Sequence, residues 1–253
     1  MKVLATNDDG IYADGLWALR DALSALGEVI VVAPDRPRSA SGHAITLHKP
    51  LRVREVSLTN GEWGYCTNGT PSDCVVLGIV DIVGKPDLVV SGINVGANLG
   101  EDLTYSGTVC AAMEAALFEV PAFSISITSD EVEDFGPAAE VALRLAEEIG
   151  KHGLPPDTFL NVNVPPLPRE KVAGIAVTTQ GRRRYQSRLE KRLDPRGKEY
   201  YWLKGDLEDA LDAGDTDVKA VARGFVSVTP IHLDLTDYGF IDALKGWDLF
   251  RSR

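Results

Sequence analysis

The 253-residue sequence lacks the features that mark membrane and secreted proteins. No apolar run approaches the roughly 20 residues that a membrane-spanning helix needs, so no membrane partner is expected. The N-terminal residues also lack the organisation of a signal peptide, because only Lys2 precedes a short apolar run and acidic residues follow at once. A cytoplasmic location is therefore expected.

Cysteine is scarce, and the three that occur are Cys66, Cys74 and Cys110. Their number is odd and none of them forms a C-x-x-C pair, so neither a disulfide framework nor a zinc site is indicated. We expect reduced thiols with a structural role.

Positive charge is also scarce, since 26 Lys and Arg stand against 37 Asp and Glu and the net charge is -11. Such a chain, without a long basic run, is poorly suited to binding the backbone of long nucleic acids. A small phosphorylated ligand stays compatible, because one bound metal ion can reverse the local potential. The run Arg182 to Arg184 is most simply a solvated loop, although it could steer an anionic substrate.

What the sequence does contain is an alternation of short apolar runs and amphipathic segments. Continuous β-branched runs at 2–6 and 28–33 enclose a segment, 15–26, in which leucines recur at helical spacing. The same alternation continues with predicted strands near 87–91, 122–127 and 159–165 and predicted helices near 72–83, 108–118 and 137–150. This pattern predicts an α/β fold with a Rossmann-like, doubly wound, mostly parallel sheet.

Two regions depart from this alternation. Residues 51–67 are predicted to form a hairpin with its turn at Asn60-Gly61. We expect three parts along the chain: a Rossmann-like core that carries the site (1–165), a smaller β-rich excursion that covers the site or builds an oligomer contact (166–223), and a strand and helix that return to the body (224–253).

Two adjacent carboxylates, Asp8 and Asp9, end the first predicted strand. Taken alone, they fit a turn or helix cap about as well as a site. Open parallel sheets, however, bind ligands beyond the carboxyl ends of their strands, and the loops after two further strands carry Ser39 and Asn94. Two carboxylates, a hydroxyl and an amide are hard donors, so the set predicts a Mg²⁺ or Mn²⁺ site rather than a zinc site.

Ser106, Gly107 and Thr108 enter an apolar helix and are candidates for binding phosphate. Backbone N–H groups at a helix N-terminus, aided by two hydroxyls, make an anion pocket, although a simple cap is the commoner role of such a trio. The three glycines spaced four apart before it match neither the dinucleotide fingerprint nor the P-loop. A covalent serine mechanism is not indicated either, since no G-x-S-x-G is present.

Four segments together closely resemble the survival protein SurE family: TNDDG, VVAPDRPRSASGHAITL, GTPSDCV and PDLVVSGINVGANLGEDLTYSGTVCAAMEAAL. The resemblance covers residues 1–127, and VSVTPIHLDLT resembles a later strand of that family. It implies a metal-dependent nucleotidase that removes phosphate from nucleoside 5′- and 3′-monophosphates. It also implies one divalent cation per subunit, Mn²⁺ or Mg²⁺, and a homodimer or homotetramer that exchanges an extended arm.

The resemblance also implies roles for individual residues. It places the metal ligands at Asp8, Asp9, Ser39 and Asn94, and the phosphate-contacting turn at Ser106, Gly107 and Thr108. Asp8 and Asp9 are the catalytic candidates, because one of them could take the proton of the attacking water. Further candidates for the substrate pocket are Asn7, His43 and Asn98.

The leading hypothesis is a divalent-metal phosphomonoesterase in which an activated water attacks phosphorus in line. One alternative is a phosphatase that forms an aspartyl-phosphate on Asp8 or Asp9, for which adjacent aspartates are a poor arrangement. A second alternative, of another class, is a nucleotide-binding sensor that uses the same crevice without turnover. Sustained phosphate release that depends on the metal would separate an enzyme from a sensor.

Overall fold

The computed structural model describes residues 1–58, 61–209 and 214–248, with the backbone alone described at 184–188 and 203–209. These residues form the strands β1 (Lys2–Thr6), β2 (Glu28–Pro34), β3 (Val53–Ser57), β4 (Trp63–Thr67), β5 (Leu88–Val95), β6 (Ala122–Ile127), β7 (Thr158–Val164), β8 (Gly174–Val177), β9 (Arg183–Leu193), β10 (Glu199–Asp209) and β11 (Phe225–His232). They also form the helices α1 (Asp14–Leu23), α2 (Pro71–Leu77), α3 (Gly107–Leu117), α4 (Gly136–His152), α5 (Asp217–Ala222) and α6 (Ile241–Lys245).

Nine of these strands form one sheet in the order β3-β4-β2-β1-β5-β6-β7-β11-β8. The neighbours from β4 to β7 are parallel, whereas β3 pairs antiparallel with β4 and β11 pairs antiparallel with β7. The central strands are apolar and buried because helices cover the sheet on both faces. The predicted α/β fold with a mostly parallel sheet is confirmed.

Each face of the sheet has its own hydrophobic core. On one face α1 and α4 pack over β1, β5 and β6, where Leu19 and Phe123 are among the fully buried side chains. On the other face α2 and α3 pack over β1 and β5. Alanines occupy much of α3, including Ala111 and Ala115, and their small side chains let the helix pack closely on β5 and β6. This packing fixes the position of α3 on the sheet.

The structure shows what the two regions outside the helix–strand alternation, 51–67 and 166–223, form. β3 and β4 form the predicted hairpin, although Asn60 of its turn lies outside the described residues. Between 166 and 223, β8 joins the main sheet beside β11, while β9 and β10 form a separate two-stranded antiparallel sheet. The three-part division of the chain stays a prediction.

Two further sequence expectations concern the thiols and the membrane. Cys66, Cys74 and Cys110 are buried and free, as expected for reduced thiols with a structural role. Across the described ranges, every helix is too short or too polar to cross a membrane.

The strand order identifies one edge of the sheet as the place for a ligand. The chain passes from β1 outwards to β2 on one side, and later returns to β5 on the other side of β1. In open α/β sheets such a reversal leaves a crevice outside the carboxyl ends of the strands concerned. The residues that follow β1 and end β5 therefore line that crevice.

Candidate active site

The turn after β1 presents Asp8 and Asp9 at the carboxyl end of that strand. The side chain of Asn7 closes the turn, donating from Nδ2 to Gly10 O at 3.0 Å and accepting from Gly10 N at 3.1 Å. Gly10 adopts a φ of 97°, which favours glycine. The residues on either side of the aspartates thus shape the turn, and Asn7 is fully buried within it.

The two carboxylates have different surroundings. Asp8 is 6% exposed, and its Oδ1 accepts a hydrogen bond of 2.5 Å from the hydroxyl of Thr108. Asp9 is half-buried, and its Oδ2 lies 3.5 Å from the backbone nitrogen of Val95. Asp8 is therefore held firmly by the protein, whereas Asp9 is more open to the crevice.

Burial raises the pKa of Asp8 to about 6, although the hydrogen bond from Thr108 lowers it in part and the charge of Asp9 raises it further. Burial also raises the pKa of Asp9 above its ordinary value. A cation beside the pair would favour both charged forms and so reverse these shifts.

Helix α3 begins against Asp8, and Ser106 is its N-cap residue, since the Ser106 side chain accepts from Val109 N at 3.2 Å. The hydroxyls of Ser106 and Thr108 are both engaged with the protein. The backbone N–H groups of Gly107 and Thr108 have no partner within the helix and are the groups left for an anion. The cap and the anion site predicted from these residues are thus compatible.

Gly107 allows this close approach of α3 to β1. A Cβ atom at this position would lie 2.7 Å from Ser41 Oγ and 2.9 Å from Asp8 Cβ. Both distances are shorter than real Cβ contacts, so a side chain here would displace one of these neighbours. The same distances place Ser41 and Asp8 beside each other at the start of α3.

The loop after β2 runs between the β1 turn and α3. Arg38 N donates to Asp8 O at 2.7 Å, and Gly42 N donates to Tyr105 O at 3.0 Å. Ser39 is exposed in this loop. Ser41 Oγ, which sequence reasoning missed, is buried without a hydrogen-bond partner in the described structure. Its signal in the sequence is a second hydroxyl two residues beyond Ser39.

Asn94 lies at the end of β5, on the other side of the switch point from β2. It is 8% exposed, and its Nδ2 donates to Gly96 O at 2.8 Å. This bond turns the amide oxygen away from Gly96. Because the next residue, Val95, reaches Asp9, the structure brings Asn94 to the same edge as the aspartates.

His43 and Asn98, which were predicted for the substrate pocket, contact protein groups. His43 Nε2 lies 2.6 Å from Oε2 of Glu114, which is 8% exposed on α3. Asn98 donates from Nδ2 to Ser126 Oγ at 2.8 Å and from its backbone nitrogen to Asn163 Oδ1 at 2.9 Å. Their roles towards a substrate stay predictions.

The arginine run was expected to be solvated, and this is wrong for Arg183. Its side chain is only 16% exposed and its Nη1 lies 2.7 Å from Asp102 Oδ2. Arg182 is exposed, and the side chain of Arg184 lies outside the described part. The pairing of Arg183 was not visible in the sequence because its partner is 81 residues away.

Neutral oxygens are needed to complete a metal site at this edge. In the ranges that the structure describes, no three His, Cys, Asp or Glu side chains gather into a metal-binding group. A metal held by Asp8 and Asp9 would therefore take its remaining protein ligands from hydroxyl or amide oxygens. The predicted Ser39 and Asn94 are donors of this kind.

A family model described as Survival protein SurE matches residues 3–187. The chain belongs to the SurE family. A protein of Geotalea daltonii named 5'-nucleotidase SurE is 53% identical over 252 residues, covering 99% of this chain and 100% of its own. A protein of the same name from Geobacter sulfurreducens is 50% identical over 255 residues, covering 100% of this chain and 96% of its own.

The SurE family also includes a solved structure that matches this fold. The structure described as the SurE protein from Aquifex aeolicus is 44% identical in sequence, with a TM-score of 0.84. The match covers 97% of this chain and 98% of that one. The resemblance predicted from the four sequence segments is thus confirmed over nearly the whole chain.

Proposed function

We propose that this chain is a divalent-metal-dependent phosphomonoesterase that hydrolyses nucleoside 5′- and 3′-monophosphates to nucleoside and phosphate. The observation that carries the proposal is the contact between Thr108, at the start of α3, and the buried Asp8 of the aspartate pair. A cation site and an anion site are then neighbours, as phosphate hydrolysis requires. The name 5'-nucleotidase, carried by relatives about 50% identical, supports the same function.

The residues present fit one divalent cation per subunit. A buried carboxylate whose pKa is raised by burial and by a second carboxylate gains most from a bound cation. The proposed ligands are Asp8, Asp9, Ser39 and Asn94, and their oxygen donors suit Mg²⁺ or Mn²⁺. When bound, the ion supplies positive charge that acidifies a water and stabilises charge on the phosphate.

The chain's own groups orient the phosphate and handle the proton. The backbone N–H groups of Gly107 and Thr108 donate to phosphate oxygens, aided by the positive end of α3. Ser41 Oγ, buried and unpartnered beside them, is a further donor of the kind that a phosphate oxygen would satisfy. Asp9 takes the proton of the attacking water, because Asp8 is held by Thr108.

The two alternatives receive less support from the site. An aspartyl-phosphate would require Asp8 or Asp9 to act as nucleophile while its adjacent carboxylate repels the incoming phosphate. A sensor would need no residue placed to accept a proton, yet Asp9 is open to the crevice beside the first turn of α3. Hydrolysis by water is the simplest use of this arrangement.

We also propose a homodimer or homotetramer located in the cytoplasm. The excursion at 166–223, which lies in sequence between the core and the returning segment, builds the contact between subunits. Large apolar side chains are exposed on β9, on β10 and near the end of the described chain, at Leu189, Tyr201, Trp202, Tyr238 and Trp247. Such side chains are typical of an interface that a second copy covers.

The decisive experiment measures phosphate release from a panel of 5′- and 3′-nucleoside monophosphates. We expect sustained release with Mn²⁺, loss of release with a chelator, and recovery when Mn²⁺ is returned. The stereochemistry at phosphorus separates the two routes, because a single attack by water inverts the configuration whereas two displacements through an aspartyl-phosphate retain it. Binding of nucleotide without any release at saturating metal would contradict the proposal and favour the sensor.

A further inference from the structure

The loop between Asn94 and Ser106 joins the two halves of the proposed site. One end carries a proposed metal ligand and the other end begins the phosphate-binding turn. Its middle is hydrogen-bonded to β7 through Asn98, whose carbonyl oxygen accepts from Asn161 Nδ2 at 2.8 Å and Asn163 Nδ2 at 2.9 Å. These first contacts are buried in the fold.

A second set of hydrogen bonds holds the loop through Asp217, which lies far along the chain at the start of α5. Its side chain is fully buried, and its Oδ2 accepts from Gly100 N at 2.9 Å. Its Oδ1 accepts from Gly181 N and from Val218 N, both at 2.8 Å. One carboxylate therefore holds the loop, the segment before β9 and the start of α5 together.

The contacts around Asp217 extend this connection to residues 180–183, which lead into β9 and are called here the root of the β9–β10 hairpin. Gln180 Nε2 donates to Gly100 O at 3.1 Å, and Arg183, the first residue of β9, pairs with Asp102. Gly100 has a φ of 55°, and a Cβ atom there would lie 3.1 Å from Arg183 N. The loop and the hairpin root are thus in direct backbone contact.

We propose that Asp217 is a positioning residue for the reaction, which holds the loop from Asn94 to Ser106 on the root of the β9–β10 hairpin. This inference rests on the proposed function. A carboxylate only accepts hydrogen bonds, so it suits the three N–H groups that converge on it. Movement of the hairpin root is then transmitted to Gly100 and the turn at Ser106.

The first test is Asp217→Asn, which keeps the shape but presents an NH₂ group to converging N–H donors. With Mn²⁺ and a nucleoside monophosphate, we expect kcat/KM to fall by roughly ten- to a hundredfold, because small displacements of positioning groups have effects of that order. The matched control is Asp87→Asn, since Asp87 Oδ2 accepts from Lys2 N at 2.7 Å at the opposite edge of the sheet. We expect the control to stay within about twofold.

The second test is amide hydrogen exchange, which separates positioning from a purely structural cap. Adding Mn²⁺ and inorganic phosphate should slow exchange both in the first turn of α3 and in residues 178–183, because coupling between sites is reciprocal. In Asp217→Asn the slowing at α3 should remain and the slowing at 178–183 should be lost. If this variant does not fold, Arg183→Gln, which breaks the pair with Asp102, is expected to give the same pattern.

Two results would overturn the inference. One is a folded Asp217→Asn variant with kcat/KM within twofold of the starting protein. The other is protection at 178–183 that is absent in the starting protein or unchanged in the variants. If the starting protein binds phosphate but hydrolyses no nucleotide, the proposed function fails, and the exchange experiment alone still decides the inference.

Discussion

A buried carboxylate is unfavourable in its charged form unless a cation lies beside it, and Asp8 is in this position. Its hydroxyl partner, Thr108, compensates only part of the cost of burial, so its pKa stays raised at about 6. Asp9 adds repulsion from the next position in the chain. At the scale of single residues, the charge that the proposed metal site requires at Asp8 is therefore the charge that destabilises the metal-free fold.

Replacing Asp8 with Asn tests whether the charge of Asp8 is needed for activity. The variant keeps the size of the side chain but removes a charged group that we propose as a metal ligand, so we expect kcat/KM for a nucleoside monophosphate to fall on the order of 10³-fold. The measurement is phosphate release at saturating Mn²⁺. Near-normal release from this variant would show that Asp8 is not a metal ligand.

The same substitution tests how much the charge of Asp8 destabilises the folded chain. The pKa of Asp8 is higher in the folded chain, so its stabilising contribution is complete below pH 3.8 and is lost as the pH rises through 6. In metal-free protein, Asp8→Asn should therefore be more stable than the starting protein at pH 7, by up to about 3 kcal/mol, and similar near pH 4. Urea unfolding at both pH values checks this, and a difference that is independent of pH would contradict it.

Gly107 is a residue whose lack of a side chain serves the site. Gly107→Ala brings a Cβ atom against Ser41 Oγ and Asp8 Cβ, so we expect kcat/KM to fall by at least about tenfold. The matched control is Gly150→Ala on α4, where the nearest atoms lie 3.8 Å away. The control should keep its activity and gain about 0.5–1 kcal/mol of stability, and equal activity of both variants would contradict the assignment.

At the scale of elements, the start of α3 lies between the β1 turn and the start of α2. Pro71, the first residue of α2, would lie 3.0 Å from a Cβ at Gly107. Thr70 caps α2, and its hydroxyl also donates to Ala44 O at 2.7 Å in the loop that carries Ser39. The cap thus holds both a helix and part of the proposed site.

Removing this cap should destabilise the chain. Thr70→Ala loses the acceptor for Asp73 N and breaks the capping box, for which we expect a loss of about 1 kcal/mol in the free energy of unfolding. Urea unfolding measures the loss, and Thr70→Ser, which keeps the hydroxyl, is the matched control. An equal loss in both variants would show that the methyl group, not the cap, is responsible.

The sequence predicted elements well wherever local patterns determine them. The predicted strand at 122–127 is β6 itself, and the Thr70-Pro71 pair starts α2 as expected. Helix α2 ends earlier than predicted, at Leu77, because a π-helical turn over Gly78–Ile82 replaces its last turn. Apolar periodicity alone does not distinguish an α-helical turn from this wider one.

The strand-end residues of the candidate site could be predicted from the sequence, whereas its tertiary contacts could not. Asp8, Asp9 and the turn at Ser106 stand out because they follow strands or begin a helix. Ser41 does not, since no periodicity tells which hydroxyl of an irregular loop turns inward. Asp217 was missed because Gly100, which it contacts, is 117 residues away.

At the scale of the whole molecule, the proposed cation would link distant segments and stabilise all of them together. At a metal concentration of about 100 times Kd, binding contributes roughly 2.7 kcal/mol to the free energy of unfolding. We therefore expect Mn²⁺ to raise the Tm by several degrees relative to chelator-treated protein. The rise should be absent in Asp8→Asn, and an equal rise in that variant would place the stabilising ion elsewhere.

The central position of β1 also sets the order in which a growing chain can assemble this site. Asp8 is synthesised before the segments that complete its surroundings, since its Thr108 partner follows 100 residues later and Asp217 more than 200 residues later. Domains generally fold as units, and pairings between distant segments form slowly. Asp8 therefore acquires its Thr108 partner only after α3 has been synthesised, and the loop is secured only when α5 has left the ribosome.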